Sequence, residues 1–135
     1  MGEPVDVTAA VICRDGRVLV AQRGSGHLVG KWEFPGGKFD PAQDKDLPSC
    51  LKRELREELC VMVEVGEPFP PVICELDSGI TIRLHAFLCG IVEGDPTPIV
   101  HSALKRICQD ELIRRRFPLA DIPIVEQLFR EGIPP

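Results

Sequence analysis

No basic run in the 135-residue chain exceeds the Arg114-Arg115-Arg116 triplet, and the net charge is −5. Duplex nucleic acid is bound through many Lys and Arg contacts to phosphates, so a nucleic-acid polymer is not the expected partner. A small anionic ligand needs only a few local cations and stays open. Cys-x-x-Cys pairs and Cys/His ligand spacings are also missing. The six cysteines stand at 13, 50, 60, 74, 89 and 108, a distribution that argues against a zinc site or a disulfide framework. Cys13, Cys74 and Cys89 fall in apolar runs, where a thiol is expected to act as a small buried hydrophobe. Nothing approaches a membrane-spanning length. The opening "MGEPVDVTAAVICRDG" lacks a basic segment followed by an apolar core, and Asp6 stands where a myristoylation signal carries Ser or Thr. No membrane association and a cytoplasmic location are therefore expected. Repeats, linkers and low-complexity segments are absent too.

What is present suits a folded domain. Apolar residues make up 44% and charged residues 27% of the chain, enough for one core over residues 1–135 without a structural metal. "VTAAVICRDGRVLVAQR" reads as two strands joined at Asp15-Gly16, a two-residue hairpin signal. "SGHLVGKWEFPGG" is Gly-rich and irregular around a short extended Trp32-Glu33-Phe34. A helix is predicted from about Leu47 to Leu59, with Asp46 as N-cap and Pro48 tolerated in the first turn. Leu47, Leu51, Leu55 and Leu59 form its buried stripe. "VMVEV", "VICEL" and "ITIRLHAFLCGIV" read as strands, the last with Ile80, Ile82, Leu84 and Phe87-Leu88 on the apolar side. "QDELIRRR" reads as a short helix or turn. "DIPIVEQLFREG" is a helix capped by Asp121 and stopped by Gly132, with Ile124, Val125, Leu128 and Phe129 on its apolar face. This order predicts a mixed α/β sandwich.

The Leu47–Leu59 helix carries an unusual cluster. At about 100° per residue, Glu58 lies about 40° to one side of Glu54 and Glu57 about 60° to the other. Like charges at these spacings repel, and the last turn of a helix disfavours anions. An ordinary solvated face could carry them. The neighbourhood favours another account: a Gly-Gly turn with Lys38 precedes the helix, and Trp-Glu-Phe precedes the turn. Clustered hard oxygen ligands suit Mg²⁺ or Mn²⁺, and a turn glycine can add a backbone carbonyl.

"GGKFDPAQ…RELREELCV" resembles the Nudix box, Gx5Ex7REUxEExGU with U a bulky aliphatic. Its REUxEE core is intact as Arg53-Glu54-Leu55-Arg56-Glu57-Glu58. "VTAAVICRDGRVLVAQR", "GKWEFPGGK" and "FPLADIPIVEQLF" resemble the matching segments of MutT-like nucleoside triphosphate pyrophosphohydrolases, including the CTP and 8-oxo-dGTP branches. The resemblance implies an αβα Nudix sandwich with a mixed central sheet. It implies Mg²⁺-dependent hydrolysis of a free nucleoside triphosphate to monophosphate and pyrophosphate, with Mn²⁺ as substitute, by a monomer or homodimer. Carried residue by residue, Glu57, Glu58 and the Gly36 carbonyl would hold metal. Glu54 would hold metal or act as base on water, and Arg53 would orient these carboxylates. Arg23, His27, Glu33, Phe34, Pro35, Gly36, Lys38 and Asp121 would form the substrate site, Arg23 and Lys38 toward phosphate, His27 toward sugar or phosphate. Trp32 is expected in the core, and Phe34 on the nucleobase or in the core.

The box also departs from the pattern. Gln43 stands six residues after Gly37, where a glutamate is expected, with Asp44 next door as a substitute if the loop shifts. Nine residues rather than seven separate Gln43 from Arg53, and Cys60 replaces a glycine. Outside the box, Val100-His101 stands where the CTP branch carries Glu-His. These changes predict reduced activity or a raised metal requirement; the alternative is a nucleotide-binding module with little catalysis. Asp121 matches an asparagine of the 8-oxoguanine type. A carboxylate suits the exocyclic amine of cytosine, which favours a CTP-like substrate, while a protonated acid could also serve an oxidised purine.

Overall fold

The computed structural model describes residues 3–26 and 28–135. In chain order the elements are β1 (Val5–Arg14), β2 (Arg17–Arg23), β3 (Trp32–Glu33), α1 (Leu47–Leu59), β4 (Met62–Pro68), β5 (Val72–Glu75), β6 (Thr81–Glu93), β7 (His101–Ile107), α2 (Gln109–Leu112), a 3-10 turn (Leu119–Asp121) and α3 (Ile122–Glu131). No helix among the described residues is long and apolar enough to cross a membrane.

β1 is the spine. It pairs parallel with β6 from Val5↔Ile82 to Ile12↔Cys89, and β6 pairs antiparallel with β4 and β5. On its other side β1 meets β2 only at Cys13↔Val18 and Arg14↔Arg17. Asp15 and Gly16 turn the chain there with φ of 54° and 75°, as a hairpin turn matched to strand twist requires. Beyond that pairing the strands part, and the loop after β3 fills the gap. Ala10 N–H donates to Pro35 O at 2.7 Å, Thr8 N–H to Gly37 O at 2.8 Å and Phe39 N–H to Asp6 O at 2.9 Å. This wedge fixes the Gly36-Gly37 turn against the spine. β2 continues outward to β3 on one side and β7 on the other.

Both faces of β1 are covered, which explains its unbroken apolar run. Ala10 and Ile12 pack with Leu19, Leu51, Leu55 and Leu59 of the α1 layer. Ala9 and Val11 pack with Ile124, Val125 and Leu128 of α3 on the opposite face. The result is a mixed-sheet αβα sandwich. α1 has the expected bounds: Asp46 Oδ1 accepts from Ser49 N–H at 2.8 Å, and Pro48 sits in the first turn. Cys60 ends the helix in a left-handed conformation, φ 58° and ψ 35°.

Four local expectations are corrected. Ile80 is exposed, because the tight turn closed by Gly79 N–H on Leu76 O and Leu76 N–H on Ile80 O delays β6 to Thr81. Phe129 is 38% exposed, at the margin of the α3 stripe. Asp121 does not cap α3. The 3-10 turn leads directly into the helix, so Asp121 is already helical and its buried side chain makes no cap hydrogen bond. β7 was not anticipated: "HSALKRI" carries the polar and basic residues of an outer strand.

Candidate active site

The loop between the Gly-Gly turn and α1 is organised by Asp40. Its Oδ1 accepts from Ala42 N–H and its Oδ2 from the Gln43 side-chain amide, both at 2.9 Å. Gln43 is thereby held on the exposed side of the loop, and the next residue turns inward. Asp44 is buried and accepts Arg53 Nε–H on Oδ1 at 2.8 Å, Arg53 Nη2–H on Oδ2 at 2.9 Å and Asp40 N–H on Oδ2 at 2.9 Å. The carboxylate missing at 43 is supplied one residue later, and the longer loop lets it arrive. These bonds to Arg53 hold the Asp44 carboxyl well below its ordinary range and push the guanidinium up.

Arg53 reaches onward. Its Nη1 lies 3.2 Å from Glu54 Oε1 and 3.1 Å from Glu57 Oε1. The Glu54 carboxylate is seated on the α-carbon of Gly37: a Cβ there would fall 2.3–2.6 Å from its atoms. At Gly36 a Cβ would come 2.1 Å from Thr8 O. Side chains are excluded at both positions, which lets the helix carboxylates approach the turn. Glu58 has its carboxyl pushed far above the usual range, first by burial, then by the Glu54 carboxylate beside it, then by Glu33, with Arg23 opposing. Two neighbouring, half-buried carboxylates form a donor set that a divalent cation fits, since such a cation removes their repulsion. Glu57 is exposed and shares the Arg53 Nη1 with Glu54. Among the described residues no three His, Cys, Asp or Glu side chains already converge as metal ligands.

Beside this group opens a cleft of about 680 Å³. Arg23, Glu33, Phe34, Gly36, Glu58 and Asp121 all line it. Glu33 joins two strands by accepting Arg23 Nη1–H on Oε1 and meeting His101 Nε2 at Oε2, each at 2.9 Å. Phe34 is buried against Phe117, ring centroids 5.4 Å apart. Trp32 packs partly against the same core, with Arg115 over its ring at 5.0 Å. The buried Asp121 has its carboxyl pushed up to about 8, by burial first and Glu33 second; the Phe34 N–H and Arg23 pull the other way.

Other expected residues lie outside the cleft wall. Lys38 is exposed, and its backbone bridges to Val7. Pro35 is buried, contributing its carbonyl to β1. Arg53, Glu54 and Glu57 stand behind the turn; His27 falls outside the described residues. Sequence reasoning assigned no role to Lys31, His101 or the Cys74–Asp77 hairpin segment, all of which line the cleft. The Val100-His101 pair had been noted, but without β7 there was no reason to place it here. Ile99 N–H donates to Glu58 O at 3.1 Å, which sets Val100 beside the acidic end of the cleft.

The chain has clear relatives among known proteins. Residues 3–132 match the NUDIX domain. The CTP pyrophosphohydrolase of Escherichia coli (strain K12) is 39% identical over 123 residues, 90% of this chain and 89% of that protein. A putative 8-oxo-dGTP diphosphatase 2 of Mycobacterium tuberculosis is 35% identical over 107 residues, 78% of this chain and 74% of that protein. Among solved structures, the MutT NUDIX hydrolase of Burkholderia pseudomallei superposes with a TM-score of 0.83 at 27% identity, covering 94% of this chain and 99% of that one. The chain therefore belongs to the Nudix family, and it is a hydrolase of acid anhydrides.

Proposed function

We propose that the protein hydrolyses a free nucleoside triphosphate to the monophosphate and pyrophosphate, with a CTP-like pyrimidine as its preferred substrate. The observation that carries this reading is the seating of Glu54, pinned between Arg53 and Gly37 and beside Glu58, which lines a cleft whose wall also holds Asp121. Glu54, Glu58 and the Gly36 carbonyl would hold Mg²⁺, or Mn²⁺ in its place, with Glu57 joining by turning away from Arg53. The bound ion would neutralise phosphate charge and acidify a coordinated water. Glu54 accepts a proton from the attacking water, and Arg53, locked by Asp44, keeps that carboxylate aimed. Arg23 and Lys31, the lysine and arginine on the cleft wall, attract the phosphates. Lys38, exposed and off the cleft wall, has no part in this scheme.

Asp121 supports the base preference. Largely protonated at neutral pH, its carboxyl both donates and accepts, the pattern needed to pair with N3 and the N4 amine of cytosine. The O6 and N7–H edge of an oxidised guanine presents the same alternation, which makes 8-oxo-dGTP the second candidate; relatives named for both nucleotides fit this pairing.

A nucleotide panel assayed for pyrophosphate with Mg²⁺ and with Mn²⁺ tests the reading. The expected result is metal-dependent release, greatest with CTP or its deoxy form, and loss of at least a hundredfold in Glu54→Gln with the fold retained. Saturable nucleotide binding with no release from any panel member would leave a binding module in place of the enzyme.

A further inference from the structure

Three side chains on three strands are tied in series along the cleft wall: Arg23 on β2, Glu33 on β3 and His101 on β7. A carboxylate oxygen only accepts, so the His101 Nε2 that meets Glu33 carries the ring proton. In the neutral ring Nδ1 is then a bare acceptor. The His101 side chain is 4% exposed. Among the described residues its Nδ1 is buried without a hydrogen-bond partner, and Arg23 Nε is in the same condition. Buried polar atoms are rarely left unpaired, and each instance calls for an account. Among the described residues Arg83 and Arg106 each carry one such atom as well, but the His101 and Arg23 atoms belong to residues of one hydrogen-bonded series that lines the cleft.

The chemistry of Nδ1 narrows what can complete it. Phosphate oxygens have no proton to give, so the triphosphate is not its partner. The base is already matched to Asp121. Glu33, the middle member of the series, stands at the cleft wall where Arg23 and His101 meet it, in the same cleft as Glu58 at the acidic end and Asp121 at the base end. A nucleotide spanning those ends places its sugar at that point. We propose that His101 Nδ1 accepts a hydrogen bond from a hydroxyl of the substrate's sugar, which makes His101 a substrate-binding residue that reads the ribose ring. This rests on the nucleotide reading given above.

The test compares the best ribonucleoside triphosphate of the panel with its 2′-deoxy and 3′-deoxy analogues. In the wild-type protein, loss of one of the two hydroxyls should lower kcat/KM on the order of tenfold, and which analogue suffers identifies the hydroxyl. His101→Ala should lower the parent nucleotide to the level of that analogue and show no further loss with it. His101→Asn, whose amide oxygen can accept, should recover part of the difference. Equal rates for all three nucleotides in the wild-type protein overturn the proposal, as does an equal loss on all three in His101→Ala, the mark of a purely structural role. If no triphosphate is hydrolysed, the activity reading fails by itself. Calorimetric affinities for the same three nucleotides then decide the His101 contact on the same terms.

Discussion

Arg53 grips Asp44 through two parallel hydrogen bonds, Nε to Oδ1 at 2.8 Å and Nη2 to Oδ2 at 2.9 Å. The planar guanidinium is fixed on that side, so its remaining nitrogen is aimed at Glu54 and Glu57. Asp44→Asn removes one acceptor oxygen and frees the arginine. It should lower kcat/KM by about 10–100-fold while KM changes little. Gln43→Glu should leave both constants within about twofold of the wild-type values, because that side chain is exposed beside Asp40 and Asp44 already holds Arg53. Steady-state kinetics on the two variants separates these roles, and a large gain in Gln43→Glu would count against Asp44 as the substitute.

Glu54 and Glu58 repel when both are charged, so a cation that binds between them should stabilise the native fold by mass action. Mg²⁺ is expected to raise the melting temperature and a chelator to reverse it, with the response weakened in Glu58→Gln. Val100→Glu adds a carboxylate next to Glu58 and should lower the Mg²⁺ concentration for half-maximal activity several-fold, read from a metal titration. No change in that midpoint would place the Val100 side chain outside the metal's reach.

Cys60 occupies a left-handed conformation that crowds any Cβ against its own backbone. Cys60→Gly relieves this at the cost of a looser unfolded chain, and should stabilise the protein by about 1 kcal/mol. Urea denaturation would show it as a higher midpoint at unchanged slope.

Asp121 has a folded pKa near 8, above its unfolded value of 3.8, because burial and Glu33 outweigh Arg23 and the Phe34 N–H. Between these values the native state binds more protons than the unfolded state, so stability falls as pH rises from about 4 to about 8. Asp121→Asn cannot ionise. Its melting temperature should gain on the wild-type protein across that window and hold a constant lead above it, as thermal melts from pH 4 to 9 would record.

The α1 helix was legible to the residue because its signals are local: a capping aspartate, a proline allowed only in the first turn, and leucines every fourth position. The Asp15-Gly16 hairpin was legible for the same reason, and the Arg-Glu-x-x-Glu-Glu spacing sufficed to place the acidic cluster on one helix. Less was legible where the outcome depends on which distant groups meet. Whether Gln43 or Asp44 faced Arg53 turned on how a loop folds around Asp40. Glu57 shares the helix face of Glu54 and Glu58, but that Arg53 would bridge it to Glu54 could not be read from the spacing. Asp121 reads as a helix cap until the preceding 3-10 turn carries it into the interior beside Glu33. His101 acquired a role only when β7 paired with β2 and brought it to Glu33. Helical period, caps and turn residues act over a few positions, so the sequence alone determined α1, the first hairpin and the grouping of the acidic residues on one helix. Burial and ion pairing between residues far apart in the chain depend on the packed arrangement, and tertiary structure alone decided which carboxylates line the cleft, which are clamped, and which are buried.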